Sequence, residues 1–158
     1  MTSLLRSFAL AFAALCAVSA HAQPAASAPG AGLQAPADDR LFRELGGRDG
    51  VTRLAEAIVP RLVADEHLGE FFKHVPPEPL KAHLAQMLCV VSGGGCAYEG
   101  RGMLEVHKDM DISRTDFNAV VRVLQDTMDA LRIPFATQNR LLARLAPMHR
   151  EIVTTHAG

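Results

Sequence analysis

The chain has 158 residues, 49% hydrophobic and 21% charged, with 16 Lys and Arg against 17 Asp and Glu and a formal net charge of −1. This near-neutral balance, with no Lys/Arg block and no aromatic platform, excludes the electrostatic footprint of a nucleic-acid-binding protein. Arg6 is the only charged residue before position 38, so the rest of the chain carries 15 basic and 17 acidic side chains.

Residues 1–22 read as a secretory signal: Arg6 in a short basic region, an apolar run from Phe8 to Val18, and Ala-His-Ala ending at Ala22. The run is too short for a membrane span, and Leu15 before Cys16 argues against lipid attachment. Cleavage after Ala22 and export to a periplasm or beyond are expected, with no stable membrane partner; a retained N-terminal anchor is the weaker reading. Residues 23–37, QPAASAPGAGLQAPA, form a Pro/Ala/Gly-rich linker with almost nothing to bury. The folded unit spans 38–156, a single domain large enough for a real core.

No stretch shows β alternation, and apolar residues recur at helical spacing, so the fold class is all-α. A short helix from about Asp39 to Leu45 ends at Gly46 and Gly47. A second covers about 49–65, with Val51, Leu54, Ala55, Ile58, Leu62 and Val63 supplying an apolar side and a kink or restart expected at Pro60. Leu68, Phe71 and Phe72 make an apolar patch before VPPEP. The next helix runs from about Pro79 to Val91, where Leu80, Leu84, Met87, Leu88 and Val91 fall within about 100° of one another, with His83 at one margin and Lys81 at the other. A short helix at 101–109 brings Met103, His107 and Met110 close in angle. Ser113 with Asp116 resembles a capping box opening the helix of Phe117, Val120, Val121, Leu124, Met128 and Leu131. The last helix, about 134–154, is bent by Pro147.

After cleavage two cysteines remain, Cys89 and Cys96. Their spacing does not match the close CxxC of a structural zinc site. In an oxidising compartment they can close a disulfide across the SGGG turn; two buried thiols are the alternative. There is no HExxH zinc motif, phosphate loop or dinucleotide fingerprint, since GGRDG and SGGG lie between helices, and no serine-hydrolase elbow. His107 is the sharpest candidate. Its helix carries Met103 on the same face and follows a glycine-punctuated turn, so its imidazole can face an apolar cavity or simply pack at the surface. Imidazole is a common ligand of haem iron, and a flat apolar cofactor accounts for the methyl, thioether and phenyl groups around it.

LFRELGG at 41–47, RLVAD at 61–65, FF at 71–72, LKAH at 80–83, GG at 93–94, YEG at 98–100, MLEVH at 103–107 and Phe117 together resemble the truncated haemoglobins, most closely group I. The likeness covers about residues 40–153, and it is the order and spacing of the pieces that carry it. It implies a two-over-two helical sandwich around haem b. His107 matches the proximal iron ligand, Phe72 the phenylalanine packed on the porphyrin, and Met103, Ile112, Phe117, Val120 and Leu124 the proximal and inner wall. Lys81 matches a basic residue near the propionates, and Leu80, Leu84 and Leu88 the distal wall. The absence of Trp, which groups II and III usually carry on the inner helix, supports group I.

Two positions depart from the family pattern. Val59, followed by Pro60, stands where a tyrosine commonly donates to the bound ligand, and Leu84 where a glutamine does. Neither has a hydrogen-bond donor, which puts strong oxygen retention and nitric-oxide dioxygenation in doubt. Tyr98 substitutes for them only if its turn folds inward. His83 matches a position that supplies a second axial histidine in some relatives; the alternative is an outward histidine, and Met87 lies one turn beyond it. The expected function is a haem protein that binds a small diatomic gas or passes electrons to a periplasmic redox partner, with weak peroxidase or nitric-oxide chemistry as a minor activity. The reading from a different class is a globin-like sensor or interaction module that no longer needs haem.

Overall fold

The computed structural model describes residue 33 and residues 35–154; the expected signal sequence and most of the linker lie outside them. Leu33, near the end of the linker stretch, packs against the core. Among the described residues all regular structure is helical: α1 (Arg40–Glu44), α2 (Gly47–Ala64), α3 (Gly69–Phe72), α4 (Pro77–Ser92), α5 (Met103–Val106), α6 (Arg114–Ala130), α7 (Phe135–Leu145), a 3₁₀ turn (Ala146–Met148) and α8 (His149–Ile152). None of these helices is long and apolar enough to cross a membrane.

Glycine decides how tightly the first elements can pack. A Cβ on Gly50 would sit 1.8 Å from the Leu45 carbonyl oxygen, so only glycine lets α1 end against the first turn of α2. At the end of α4, Gly93 takes φ +92°, the left-handed cap that satisfies the last carbonyls, with its N–H donating to Val90.

The buried faces follow the helical period, except that Val63, expected on the inner side of α2, is 45% exposed, because it lies about 100° round the helix from Leu62. Val51, Leu54, Ala55, Ile58, Val59 and Leu62 of α2 meet Leu88, Cys89 and Val91 of α4, and Ala119, Leu124 and Met128 of α6 and Leu141 of α7 complete the core. Helices α2 and α4 form one layer, and α6 and α7 the other. The 17-residue α6 is capped as expected. Ser113 Oγ accepts from the Asp116 N–H at 3.2 Å, and Asp116 Oδ2 accepts from the Ser113 N–H at 2.8 Å and its hydroxyl at 2.6 Å.

Three elements differ from the periodicity reading, each for a backbone reason. Helix α2 continues through Pro60 rather than restarting; Pro60 and Glu56, whose carbonyl loses its partner there, are both exposed. The helix before His107 has only four residues, because Asp109 and Asp111 take positive φ (61° and 50°) and end any helical run. Pro147 breaks the last helix into α7, a 3₁₀ turn and α8.

Two cross-chain ties fasten the helices. Glu44 of α1 accepts from Arg140 Nε of α7 at 2.9 Å and from Arg40 Nε at 3.0 Å, which together hold its carboxyl below the usual range. His67, in the α2–α3 turn, lies 2.5 Å from Asp116 Oδ1. The Ser113 hydroxyl and N–H, and then His67, lower the Asp116 pKa against the opposing effect of burial. A carboxyl with a depressed folded pKa contributes stability above its unfolded pKa and loses it as pH falls through the folded value. Urea titrations at falling acidic pH should therefore show a loss of stability that is smaller in Asp116→Ala. Ser113→Ala should cost about 1 kcal/mol at neutral pH, the typical value of an N-cap.

Cys89 and Cys96 are joined as a disulfide across the glycine turn, seven positions apart. Closing so short a loop restricts the unfolded chain by about 2.5 kcal/mol. Cys96→Ser is expected to lower the unfolding free energy by about that amount, and adding reductant to the parent chain should reproduce the loss.

Candidate functional site

The four-residue α5 holds the central group. His107 follows it at the C-cap position, and His107 Nδ1 lies 2.8 Å from the Met103 carbonyl oxygen one turn back. A carbonyl can only accept, so Nδ1 carries the proton, and neutral imidazole in that tautomer keeps a lone pair on Nε2. Metal-ligating histidines are commonly oriented this way, by a hydrogen bond from the other ring nitrogen. Helix α5 packs on α8, while the Thr154 N–H donates to the Ile112 carbonyl at 3.0 Å, tying the residues after α8 to the segment that follows His107.

The other predicted residues are buried to different degrees. Leu88 and Leu124 belong to the buried core, and Phe72, Leu80, Leu84, Met103 and Val120 are half-buried and pack against it. Ile112 is buried. Phe117 meets His149 of α8 edge to face, ring centroids 4.8 Å apart. Val59, at the position of the expected tyrosine, is fully buried within the core.

Neither margin of α4 joins this apolar set. Lys81 pairs with Glu78 at 2.6 Å and lines a cleft between α2 and α4. His83 is exposed and makes no hydrogen bond or ion pair among the described residues. Met87, one turn on, is half-buried against the core. The Tyr98 hydroxyl donates to the Arg101 carbonyl at 3.2 Å within its own turn, and partial burial raises its pKa. Among the described residues no three His, Cys, Asp or Glu side chains cluster as a metal site. An imidazole with a free Nε2, on a chain whose α3–α6 carry half-buried methyl, thioether and phenyl groups, suits a flat apolar iron-bearing ring.

His149 had no signal in the sequence, where it is one polar residue on a helix that Pro147 was expected to bend. Its contact with Phe117 brings the first residue of α8 to the start of α6.

The profile of the bacterial-like globins matches residues 40–154. The group 1 truncated haemoglobin GlbN of Mycolicibacterium paratuberculosis is 30% identical over 118 residues, covering 75% of this chain and 87% of that protein. A group 1 truncated haemoglobin of Tetrahymena pyriformis is 26% identical over 99 residues, covering 63% and 82%. Among solved structures, the Fe(III) truncated haemoglobin of Tetrahymena pyriformis superposes with a TM-score of 0.70 at 23% identity, over 73% of this chain and 98% of that one. The cyanomet 2/2 haemoglobin of a Synechococcus species, with covalently attached haem, superposes with a TM-score of 0.68 at 21% identity, over 73% and 98%. With its two-over-two helical fold and a match spanning nearly all the described residues, the chain belongs to the bacterial-like globins, as a truncated haemoglobin of group I.

Proposed function

We propose that the chain binds haem b through His107 Nε2 and that its role is to bind a small diatomic ligand. The observation that carries this is the hydrogen bond from His107 Nδ1 to the Met103 carbonyl, which orients the ring and leaves Nε2 as the free donor. When bound, the iron supplies the centre that exchanges ligands and electrons. The chain's own contribution is to present one oriented imidazole and to surround it with apolar side chains that exclude water. Because Val59 and Leu84 have no donor, the ligand side favours molecules that bind without needing a hydrogen bond, nitric oxide and carbon monoxide over oxygen. Nitric-oxide dioxygenation and peroxidase turnover are correspondingly weak.

The test is a titration of the apo-chain with haemin, followed by absorption in both redox states. A saturable Soret shift at one equivalent is expected, and its absence would sink the reading. Extraction into acidified butanone then distinguishes exchangeable haem b from the covalent attachment described for the Synechococcus relative.

A second reading, electron transfer with His83 as the other axial ligand, is favoured by the freedom of His83 from other partners. If His83 ligates iron, His83→Ala converts the ferrous spectrum from six- to five-coordinate; an unchanged five-coordinate spectrum in parent and variant removes this reading. Export rests on residues 1–22, and sequencing the mature N-terminus, expected to begin at Gln23, tests it.

A further inference from the structure

The cleft between α2 and α4, about 350 Å³ in volume, lies on the face of α4 away from the apolar stripe of Leu80, Leu84 and Met87. Arg48 and Glu56 of α2 and Lys81 and Gln86 of α4 line it, and both cysteines of the disulfide reach it. Arg48 is exposed and unpaired among the described residues, and the Gln86 Oε1 is buried with no hydrogen-bond partner. Charges of both signs and an unsatisfied acceptor thus surround a sulfur–sulfur bond. The two sulfurs are not equally accessible. Cys89 is 2% exposed and Gly94 packs so closely on it that a Cβ there would lie 2.5 Å from its Sγ, whereas Cys96 is only half-buried.

We propose that this cleft is a thiol-exchange site for a small zwitterionic thiol, whose carboxylate meets Arg48 and whose ammonium meets Glu56. The incoming thiol loses its proton to solvent, and its thiolate sulfur bonds to Cys96 Sγ as the Cys89–Cys96 bond breaks. Cys89 leaves with the electron pair as a thiolate and takes a proton from solvent. The product is a mixed disulfide on Cys96. A second thiol loses its proton to solvent and its thiolate bonds to the sulfur of the first as the bond to Cys96 breaks; Cys96 leaves with the electron pair and takes a proton from solvent, leaving two protein thiols and the small-molecule disulfide, so two electrons pass from two thiols to the chain. Attack falls on Cys96 because exchange depends on access to the sulfur.

The exchange has a structural consequence. Among the described residues no backbone hydrogen bond joins residues 95–101 to another segment, and the Tyr98 contact is internal to that stretch. The disulfide is therefore the covalent tie between α4 and the segment that leads into α5, and exchange releases that segment.

The experiment treats the oxidised full chain with free cysteine or neutral 2-mercaptoethanol, followed by acid quench, alkylation and peptide mass spectrometry. A cysteinyl adduct on Cys96 with the alkyl label on Cys89 is expected. The Arg48→Ala/Glu56→Ala double variant, altered at two exposed positions, should slow the cysteine reaction about fivefold while leaving 2-mercaptoethanol nearly unchanged, the scale of two exposed charge contacts. An adduct on Cys89, an unreactive disulfide, or equal slowing of both thiols overturns the site. Amide hydrogen exchange of residues 95–102 should rise in the adduct; unchanged exchange overturns the release of the segment.

Discussion

His107→Ala is expected to abolish axial ligation by the protein. The Soret band of a haemin-loaded variant should move toward that of free haemin, and haem affinity should fall by more than the ~10–100-fold that follows loss of an outer-shell partner to a metal ligand. The reason is local. His107 caps α5, which itself carries no histidine, and its ring is aimed by the Met103 carbonyl, so no residue of that helix takes its place. Adding free imidazole should restore a ligated spectrum, which separates loss of the ligand from loss of the fold. If the variant keeps the parent spectrum, the iron is held elsewhere and the assignment of His107 fails.

The second large effect is expected at Leu84. Leu84→Gln nearly conserves volume at a half-buried position on the inner stripe of α4 and introduces an amide donor. A hydrogen bond to a ligand that carries charge contributes about 1.5–3 kcal/mol, so oxygen dissociation should slow by about tenfold to a hundredfold in stopped-flow displacement by carbon monoxide. Carbon monoxide, which gains little from a donor, should leave at nearly the parent rate. Equal effects on both gases would mean that the substitution changed access rather than hydrogen bonding. The corresponding change at Val59 is less informative. That side chain has no exposed surface, and forcing a tyrosine into it costs about 1–3 kcal/mol through overpacking.

Much of the fold was legible in the residues because it rests on local chemistry. Ser113 and Asp116 announce the start of α6 by spacing alone, and both hydrogen bonds of the capping box form. The stripe of Leu80, Leu84, Met87, Leu88 and Val91 lies on one side of α4, as the 3.6-residue period requires, with Leu88 and Val91 buried and the others packed against the core. Proline is legible less evenly. Pro147 breaks its helix, whereas Pro60 does not, and the difference lies in surroundings that the sequence does not display: Pro60 sits on an exposed flank near the end of a long helix anchored by six buried side chains.

Lys81 and His83 show where periodicity stops. Both were marginal to the same stripe, equally able to turn inward or away. The neighbours settle the positions observed: Lys81 turns to Glu78 in the α2–α4 cleft, and His83 stays exposed.

The sequence by itself determined the helices, their apolar faces, the family and His107 as the residue to watch, because these depend on spacing along one chain and on the chemistry of single side chains. Only the tertiary structure decided which ring nitrogen of His107 is free, that His67 reaches Asp116, that α8 brings His149 to Phe117, and that the disulfide opens onto a charged cleft. Each of these joins atoms whose separation depends on helix packing and on the turn of the backbone between elements, which no periodicity encodes.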